Sequence, residues 1–247
     1  MRNFWDKWNR YGWFSHAEFI AFGIVSVALG MVLSWSLWGY EEFDVLTGLG
    51  NWLYWSVLAG VVVFVHHAGQ RAWGLVTGFK LEHKVYVNGL VLSLLLMMLS
   101  QGRLKLLAVT SAEEKLVPIH RLGAFRHGEN VATIAQITMA GPVACVVFAA
   151  VMGALGSAGV LGVSVAKDVF WLALSFAAWN VLPVPGLDGA KIVYWNRFLY
   201  VWFVCSLAAY WFVAGALGIF GLGFPLAVVV GLGLTFLFVK VLAKGLF

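Results

Sequence analysis

Residues 51–77 read NWLYWSVLAGVVVFVHHAGQRAWGLVT, a mostly apolar run that is long enough to cross a lipid bilayer as one helix. A span needs roughly 20 such residues, because a helix rises about 1.5 Å per residue through a hydrocarbon core of about 30 Å. The second half of the run carries four polar residues, His66, His67, Gln70 and Arg71. Ionisable groups at membrane depth cost about 2.5–3.5 kcal/mol each, so each one marks a candidate functional site.

The whole chain has the composition of a multi-pass membrane protein. Its 247 residues are 62% hydrophobic and 11% charged, whereas about 25% of the residues in a soluble domain are charged. The mean hydropathy is +0.90. These values exclude a water-soluble globular protein, a disordered chain and a nucleic-acid-binding tail. In such a protein the excess of basic residues behind the net charge of +5 indicates which loops face the cytoplasm. We expect a lipid bilayer as partner, and no nucleic acid.

Apolar runs along the chain predict the fold class. A short run, Val85–Ser100, predicts a tilted helix or a re-entrant segment, and the polar stretch Gln101–Asn130 predicts short strands or turns at the cytoplasmic interface. We expect one membrane domain over 1–247, an all-α polytopic protein with about six transmembrane helices, one re-entrant or shallow element and a short β/turn segment. The predicted spans are 17–38, 51–77, 131–156, 165–183, 199–220 and 224–244.

The placement of charge predicts the orientation in the membrane. Three basic residues lie within the first ten, whereas the loop at 39–50 carries acidic residues and no Lys or Arg. Because basic residues favour the cytoplasmic side, the N-terminus is expected inside and this loop outside. If Val85–Ser100 turns back, every Lys and Arg except Lys167 lies inside, including Arg103 and Lys105. We expect an integral cell-membrane protein, multi-pass, with both termini cytoplasmic.

Two polar segments lie at the predicted cytoplasmic ends of different spans. Val65–Arg71 belongs to the span predicted at 51–77, and Asn180–Gly189 lies at the end of the span predicted at 165–183. The topology places both at the same face and at similar depth, although more than a hundred residues separate them in sequence. We therefore expect the two segments to meet.

These segments also have purely structural interpretations. His66 and His67 could hydrogen-bond neighbouring helices or interfacial water, and Asp188 could cap the helix that follows it. Pro183 and Pro185 end the span predicted at 165–183 whether or not anything binds there.

Other polar residues are expected to have structural roles. Glu18, at the start of the first span, is expected to reach the interface or to pair with Lys7 or Arg10. His83 is expected at the interface, with no partner that the sequence identifies. Cys145 and Cys205 lie inside apolar runs, and they are too few and too deeply placed for a disulfide framework or a cysteine metal site.

The order of three motifs resembles that of the site-two protease family of intramembrane zinc metalloproteases. His66–Gln70 stands where the family has His-Glu-x-x-His, and Ala140-Gly141-Pro142 resembles its Ala-Gly-Pro helix start. Asn180–Gly189 resembles its Asn-x-x-Pro and Leu-Asp-Gly segment. The likeness covers about residues 60–200.

The resemblance implies a protease-like core, a function and a substrate-binding segment. Intramembrane proteolysis of a transmembrane protein substrate is the family's activity, a zinc-dependent hydrolase reaction. Asn180, with Pro183 and Pro185, would hold the substrate backbone in extended form. The implied core covers about 51–200, with extra spans at 17–38 and 199–244.

The resemblance also implies a zinc site, from which this chain departs. The family's zinc is held by two histidines and an aspartate, at the positions of His66, Gln70 and Asp188, and a glutamate base stands where this chain has His67. Gln70 is on the correct helix face, but a neutral amide oxygen is a poor donor to zinc. No pair among the six histidines is spaced by three or four residues. His66 and Asp188 remain as two ligands, so zinc is only weakly supported as a cofactor.

Three functions stay open. The preferred one is a pseudoenzyme, an inactive protease homologue that binds transmembrane clients or partners in the groove that would hold substrate. The second is an active intramembrane metalloendopeptidase in which His66, Asp188 and a third donor hold zinc, while His67 or another group acts as base. The third is a transporter or a structural subunit of a larger membrane complex, for which the likeness to proteases is misleading.

Overall fold

Long apolar helices dominate the computed structural model, which describes residues 2–39, 43–116 and 130–241. Five helices in these ranges are long and apolar enough to cross a membrane, which confirms the all-α membrane-type fold class and indicates a bilayer environment. These helices are α2 (His16–Ser34, extended by a 3₁₀ turn at Trp35–Leu37), α3 (Val45–Thr77), α5 (Val131–Ser157), α8 (Arg197–Leu217) and α9 (Gly223–Val241).

Shorter elements complete the fold. The predicted span 165–183 corresponds to α6, which ends at Asn180 and carries Lys167 and Asp168 near its start, so it is less apolar than the five long helices. The prediction for Gln101–Asn130 is confirmed in part by strand β2, and residues 117–129 of that stretch lie outside the described residues. The shorter elements are α1 (Arg2–Tyr11), β1 (Phe79–Val85), α4 (Val87–Leu99), β2 (Thr110–Leu116), α6 (Val163–Asn180) and α7 (Asp188–Trp195).

Local signals set the ends of the helices. Ser15 and Glu18 form a reciprocal capping box at the start of α2, and the Asp44 carboxylate accepts a hydrogen bond from a backbone N–H at the start of α3. Gly78 ends α3 in the left-handed conformation, with φ of 93°, which glycine adopts without strain. The prolines after Asn180 prevent α6 from continuing.

The segment between β1 and β2 leaves the sheet and returns to it. The two strands pair antiparallel, from Phe79 opposite Leu116 to Val85 opposite Thr110. Helix α4 lies between them in sequence, so both ends of this excursion are held side by side. Whether Val85–Ser100 is a re-entrant segment or a tilted helix in the membrane stays a prediction.

The turn that follows α4 lies far from the sheet. Lys105 Nζ donates to the Leu33 carbonyl oxygen at 3.1 Å, at the end of α2, whereas His83 of β1 contacts Glu18 at the start of α2. The expectation that Arg103 and Lys105 share a face with the basic residues of the sheet is therefore wrong. The reason is the length of α4, whose 13 residues carry the chain roughly 20 Å along α2 before it turns back.

Helix α6 forms the centre of the apolar core. It packs against α5 and contacts α3 and α8. Its buried positions include small residues, Ala173 and Ala177, beside the large Phe170 and Phe176, so the neighbouring helices approach closely. The bundle of α3, α5 and α6 places the polar ends of α3 and α6 beside each other.

A buried ion pair joins the first two long helices. The Arg71 guanidinium donates to the Glu18 carboxylate, to the Trp13 carbonyl at 2.6 Å and to the Leu81 carbonyl at 2.8 Å. It also lies 4.0 Å from the centroid of the Phe14 ring. The prediction that Glu18 pairs with a basic residue of the N-terminal segment is wrong, because α3 brings Arg71 to it inside the structure.

His83 is the second partner of Glu18. Its backbone N–H donates to Glu18 Oε1 at 3.1 Å, and its Nδ1 lies 3.0 Å from the same oxygen. The side chain is buried rather than exposed at an interface, and Glu18 is the partner that the sequence did not identify. Burial lowers the pKa of the His83 imidazole, because the cationic form loses its hydration.

Candidate functional site

The two polar segments meet between α3 and α7. His66 Nε2 lies 3.0 Å from Asp188 Oδ2, and the Gln70 side-chain N–H donates to the same oxygen at 2.9 Å. His66 and Gln70 lie one turn apart on α3, so their side chains share one face. All three side chains are buried. The predicted meeting of the segments is confirmed, whereas the metal and catalytic roles of these residues stay predictions.

Asp188 is free to face α3 because it does not cap its own helix. It is the first residue of α7, Leu187 is the N-cap, and no side-chain capping bond is formed there. The interpretation of Asp188 as a helix cap is therefore wrong. Gly189 allows α7 to pack on the end of α6, since a Cβ at this position would lie 1.9 Å from the Val181 carbonyl oxygen.

Helix α5 closes the site from the third side. A Cβ at Gly141 would lie 2.6 Å from His66 Nε2 and 2.8 Å from Gln70 Cγ, so only glycine allows this approach. The helix start that the resemblance implies at Ala140–Pro142 is wrong for this chain, because α5 begins at Val131 and Pro142 lies inside it.

Pro142 creates a hydrogen-bond acceptor for Gln70. Proline has no backbone N–H, so the carbonyl four residues earlier, on Thr138, lacks its helical donor. The Gln70 side-chain N–H lies 3.4 Å from this carbonyl oxygen and forms a long hydrogen bond with it. The position of Pro142 thus favours a donor at position 70.

Gln70 engages both N–H donors and the oxygen of its side-chain amide. The two N–H groups face Asp188 and the Thr138 carbonyl, and its Oε1 lies 3.3 Å from His67 Nδ1. A side-chain amide offers two donors and an acceptor oxygen, and all are engaged. We refer to His66, Gln70 and Asp188 with their hydrogen bonds as the amide triad.

The donor set of the amide triad does not fit the zinc site that the resemblance implies. His66 and Asp188 are zinc-type ligands, but Gln70 directs its amide nitrogen, which does not bind metals, at the Asp188 oxygen. Cys145 Sγ lies 3.7 Å from His66 Nδ1, on the opposite edge of the ring from Asp188, so one metal ion cannot take both. Within residues 2–39, 43–116 and 130–241, no group of three or more His, Cys, Asp and Glu side chains is arranged to hold a metal.

His67, at the predicted base position, faces α2 and β1. Its ring stacks on Phe22 with centroids 5.2 Å apart and lies 4.0 Å from the His83 ring. Its hydrogen-bond partner is Gln70 rather than Asp188. A role of His67 as a base stays a prediction.

The predicted substrate segment has a buried beginning and an exposed middle. The Asn180 side chain is buried, and its N–H donates to the Phe176 carbonyl of its own helix at 2.8 Å. Pro183 and Pro185 are exposed in the loop between α6 and α7, where Tyr86 donates to the Pro185 carbonyl at 3.3 Å. The substrate-binding roles of these residues stay predictions, and the exposed backbone lies at the prolines rather than at Asn180.

Sequence reasoning missed the polar residues that surround the triad. Cys145 and the Thr138 carbonyl contact it directly, and the cluster of Glu18, His83 and Arg71 adjoins it through His67. A signal for the cluster was present, because a buried arginine in an apolar span requires a carboxylate partner.

Comparison of the chain with protein families, with curated proteins and with solved structures finds no match in any of the three. The resemblance to the site-two protease family rests on the motifs in the sequence. The structure brings parts of all three motifs together, since Gly141 and Asp188 both adjoin the side chains of His66 and Gln70.

Replacement of Gly141 by valine tests the packing of α5 on the amide triad. The added side chain would displace His66 and Gln70, and overpacking of this kind costs about 1–3 kcal/mol. Gly23→Val is the matched control, because a Cβ at that helical position meets no atom within 4 Å. Thermal unfolding in detergent should show a clearly lower Tm for Gly141→Val than for the control, and equal Tm values would contradict this geometry.

Proposed function

We propose that this protein is a proteolytically inactive relative of the site-two intramembrane proteases, which binds a transmembrane client and does not cut it. The amide triad carries the proposal. In this assignment the chain has six spans, with α6 as the fourth, and α4 is the re-entrant element. Both termini are cytoplasmic in this topology.

The chemistry of position 70 explains the loss of hydrolysis. A zinc ion lowers the pKa of its bound water to about 7, which supplies a nucleophile at neutral pH. Holding that ion requires three protein ligands, whereas the Gln70 amide is hydrogen-bonded to Asp188, the Thr138 carbonyl and His67. Without the ion, His67 would have to activate a water whose pKa no metal lowers and whose developing charge no metal stabilises.

The loop between α6 and α7 is the surface that we assign to the client. Leu182 and Val184 are exposed there at 37% and 44%, and the buried Asp188 follows them in sequence. The loop's own backbone and Tyr86 already donate to the carbonyls of Leu182, Val184 and Pro185. The loop therefore offers a client segment an exposed apolar surface on a fixed backbone.

The active-protease alternative is favoured by one observation. His66 and Asp188, two zinc-type ligands, lie 3.0 Å apart. An active site would require a third ligand besides Gln70 and a rotation of the Gln70 amide away from Asp188.

Photo-crosslinking tests the assignment of the client surface. A photoreactive amino acid at Leu182 in the membrane-embedded protein should give adducts whose cross-linked peptide belongs to a transmembrane segment of another protein. Val229 on α9 is the matched control, because it is also apolar and is 65% exposed. Protein adducts of the same identity and yield at both positions would contradict a client site at the α6–α7 loop.

Restoring the family residues tests the inactive-protease assignment with the captured client as substrate. The double variant His67→Glu with Gln70→His places a second histidine one turn from His66, so it should bind one zinc ion and cleave the client. The single variant Gln70→His should bind zinc and cleave at least about 100-fold more slowly, because the base is missing. Cleavage of the client by the natural protein would overturn the proposal.

A further inference from the structure

A cavity of about 520 Å³ runs along one face of α6, away from the amide triad. Asp168, Trp171, Ser175 and Trp179 line it at helical spacing, and Trp55 of α3 and Trp211 of α8 form further walls. Indole rings are amphipathic and favour the depth at which lipid headgroups meet the hydrocarbon. The cavity therefore has the lining of a lipid-facing site.

Charged groups lie at one end of the cavity. Lys105 and Arg103 contribute two cations there, and Asp168 contributes a carboxylate. Lys105 uses one N–H on the Leu33 carbonyl, which leaves two ammonium donors for a ligand. Asp168 Oδ2 accepts from the Tyr54 hydroxyl at 2.8 Å, and its second oxygen can accept from a ligand. Among the ion pairs of the described part of the chain, none includes Lys105 or Asp168.

The dimensions of the cavity fit one acyl chain. Trp179 follows Asp168 by eleven residues of α6, which corresponds to roughly 16 Å of helix and to the roughly 15 Å depth of one leaflet. A transmembrane helix about 10 Å across would fill on the order of 1,600 Å³ over 20 Å of length. The volume of about 520 Å³ is therefore too small for a client helix.

We propose that this cavity binds a zwitterionic phospholipid, with one acyl chain along the tryptophans of α6. Lys105 and Arg103 hold the headgroup phosphate, and Asp168 accepts a hydrogen bond from the headgroup ammonium. Opposite charges at the same rim favour a headgroup that carries both a phosphate and an ammonium group over a purely anionic one. The cavity borders the loop that we assign to the client, because Leu182 also lines it.

Native mass spectrometry of the full chain in detergent, titrated with palmitoyl-oleoyl phosphatidylethanolamine or the matching phosphatidylglycerol, tests the proposal. The natural protein should retain one phosphatidylethanolamine, at least about tenfold more tightly than phosphatidylglycerol. Ala178→Trp fills the cavity and should weaken binding of both lipids about tenfold or more. Lys105→Met removes a phosphate donor and should weaken both about fivefold.

The headgroup preference depends on Asp168. Asp168→Asn should retain phosphatidylglycerol binding and lose the preference for phosphatidylethanolamine. Lys167→Met is the matched control, because Lys167 faces a different cavity beside Gly153, and it should bind both lipids as the natural protein does. Tm and monodispersity establish that each variant is folded.

Two results would overturn the proposal. The first is that the natural protein, while folded in detergent, retains neither phospholipid. The second is that the natural protein, Lys105→Met and Asp168→Asn bind both lipids equally, which would show only unspecific lipid association. This comparison does not depend on whether Ala178→Trp folds.

Discussion

The hydrogen bond from Gln70 to Asp188 is the interaction on which the account of this protein depends. It joins α3 to α7, and the same amide reaches the Thr138 carbonyl of α5, so three elements meet at one side chain. Buried polar groups that lose their partners cost about 1–3 kcal/mol each, which makes this arrangement a strong structural constraint. A histidine at position 70 could not reproduce it, because imidazole lacks the two-donor end of an amide.

The surrounding helices position this amide. Pro142 leaves an acceptor open on α5, and Gly141 lets α5 approach His66 closely. Glu18 and Arg71 join α2 to α3 close to the triad, with His83 bringing β1 against them. A scaffold of this kind can keep the shape of a substrate cleft while its hydrolytic chemistry is absent, and the proposal of a client-binding protein rests on this combination.

Much of the fold could be predicted from the sequence, because long apolar runs form membrane-spanning helices in a bilayer. The end of α3 and both ends of α5 lie within one residue of the predicted bounds, whereas α3 begins at Val45, six residues before the predicted start. The meeting of His66 with Asp188 follows from topology and charge placement. Side-chain directions could not be predicted in this way. The Asn180 side chain donates to a carbonyl of its own helix. Lys105 reaches the far end of α2 because of the length of α4. Neither contact produces a periodic pattern in the sequence.

The metal content of the purified natural protein distinguishes the amide triad from a zinc site. Elemental analysis after purification in the presence of zinc and exchange into metal-free buffer gives the number of ions per chain. The amide triad predicts less than about 0.1 zinc per chain, because only two of its side chains are zinc-type ligands. A value close to one zinc per chain that disappears in both His66→Ala and Asp188→Ala would contradict the account.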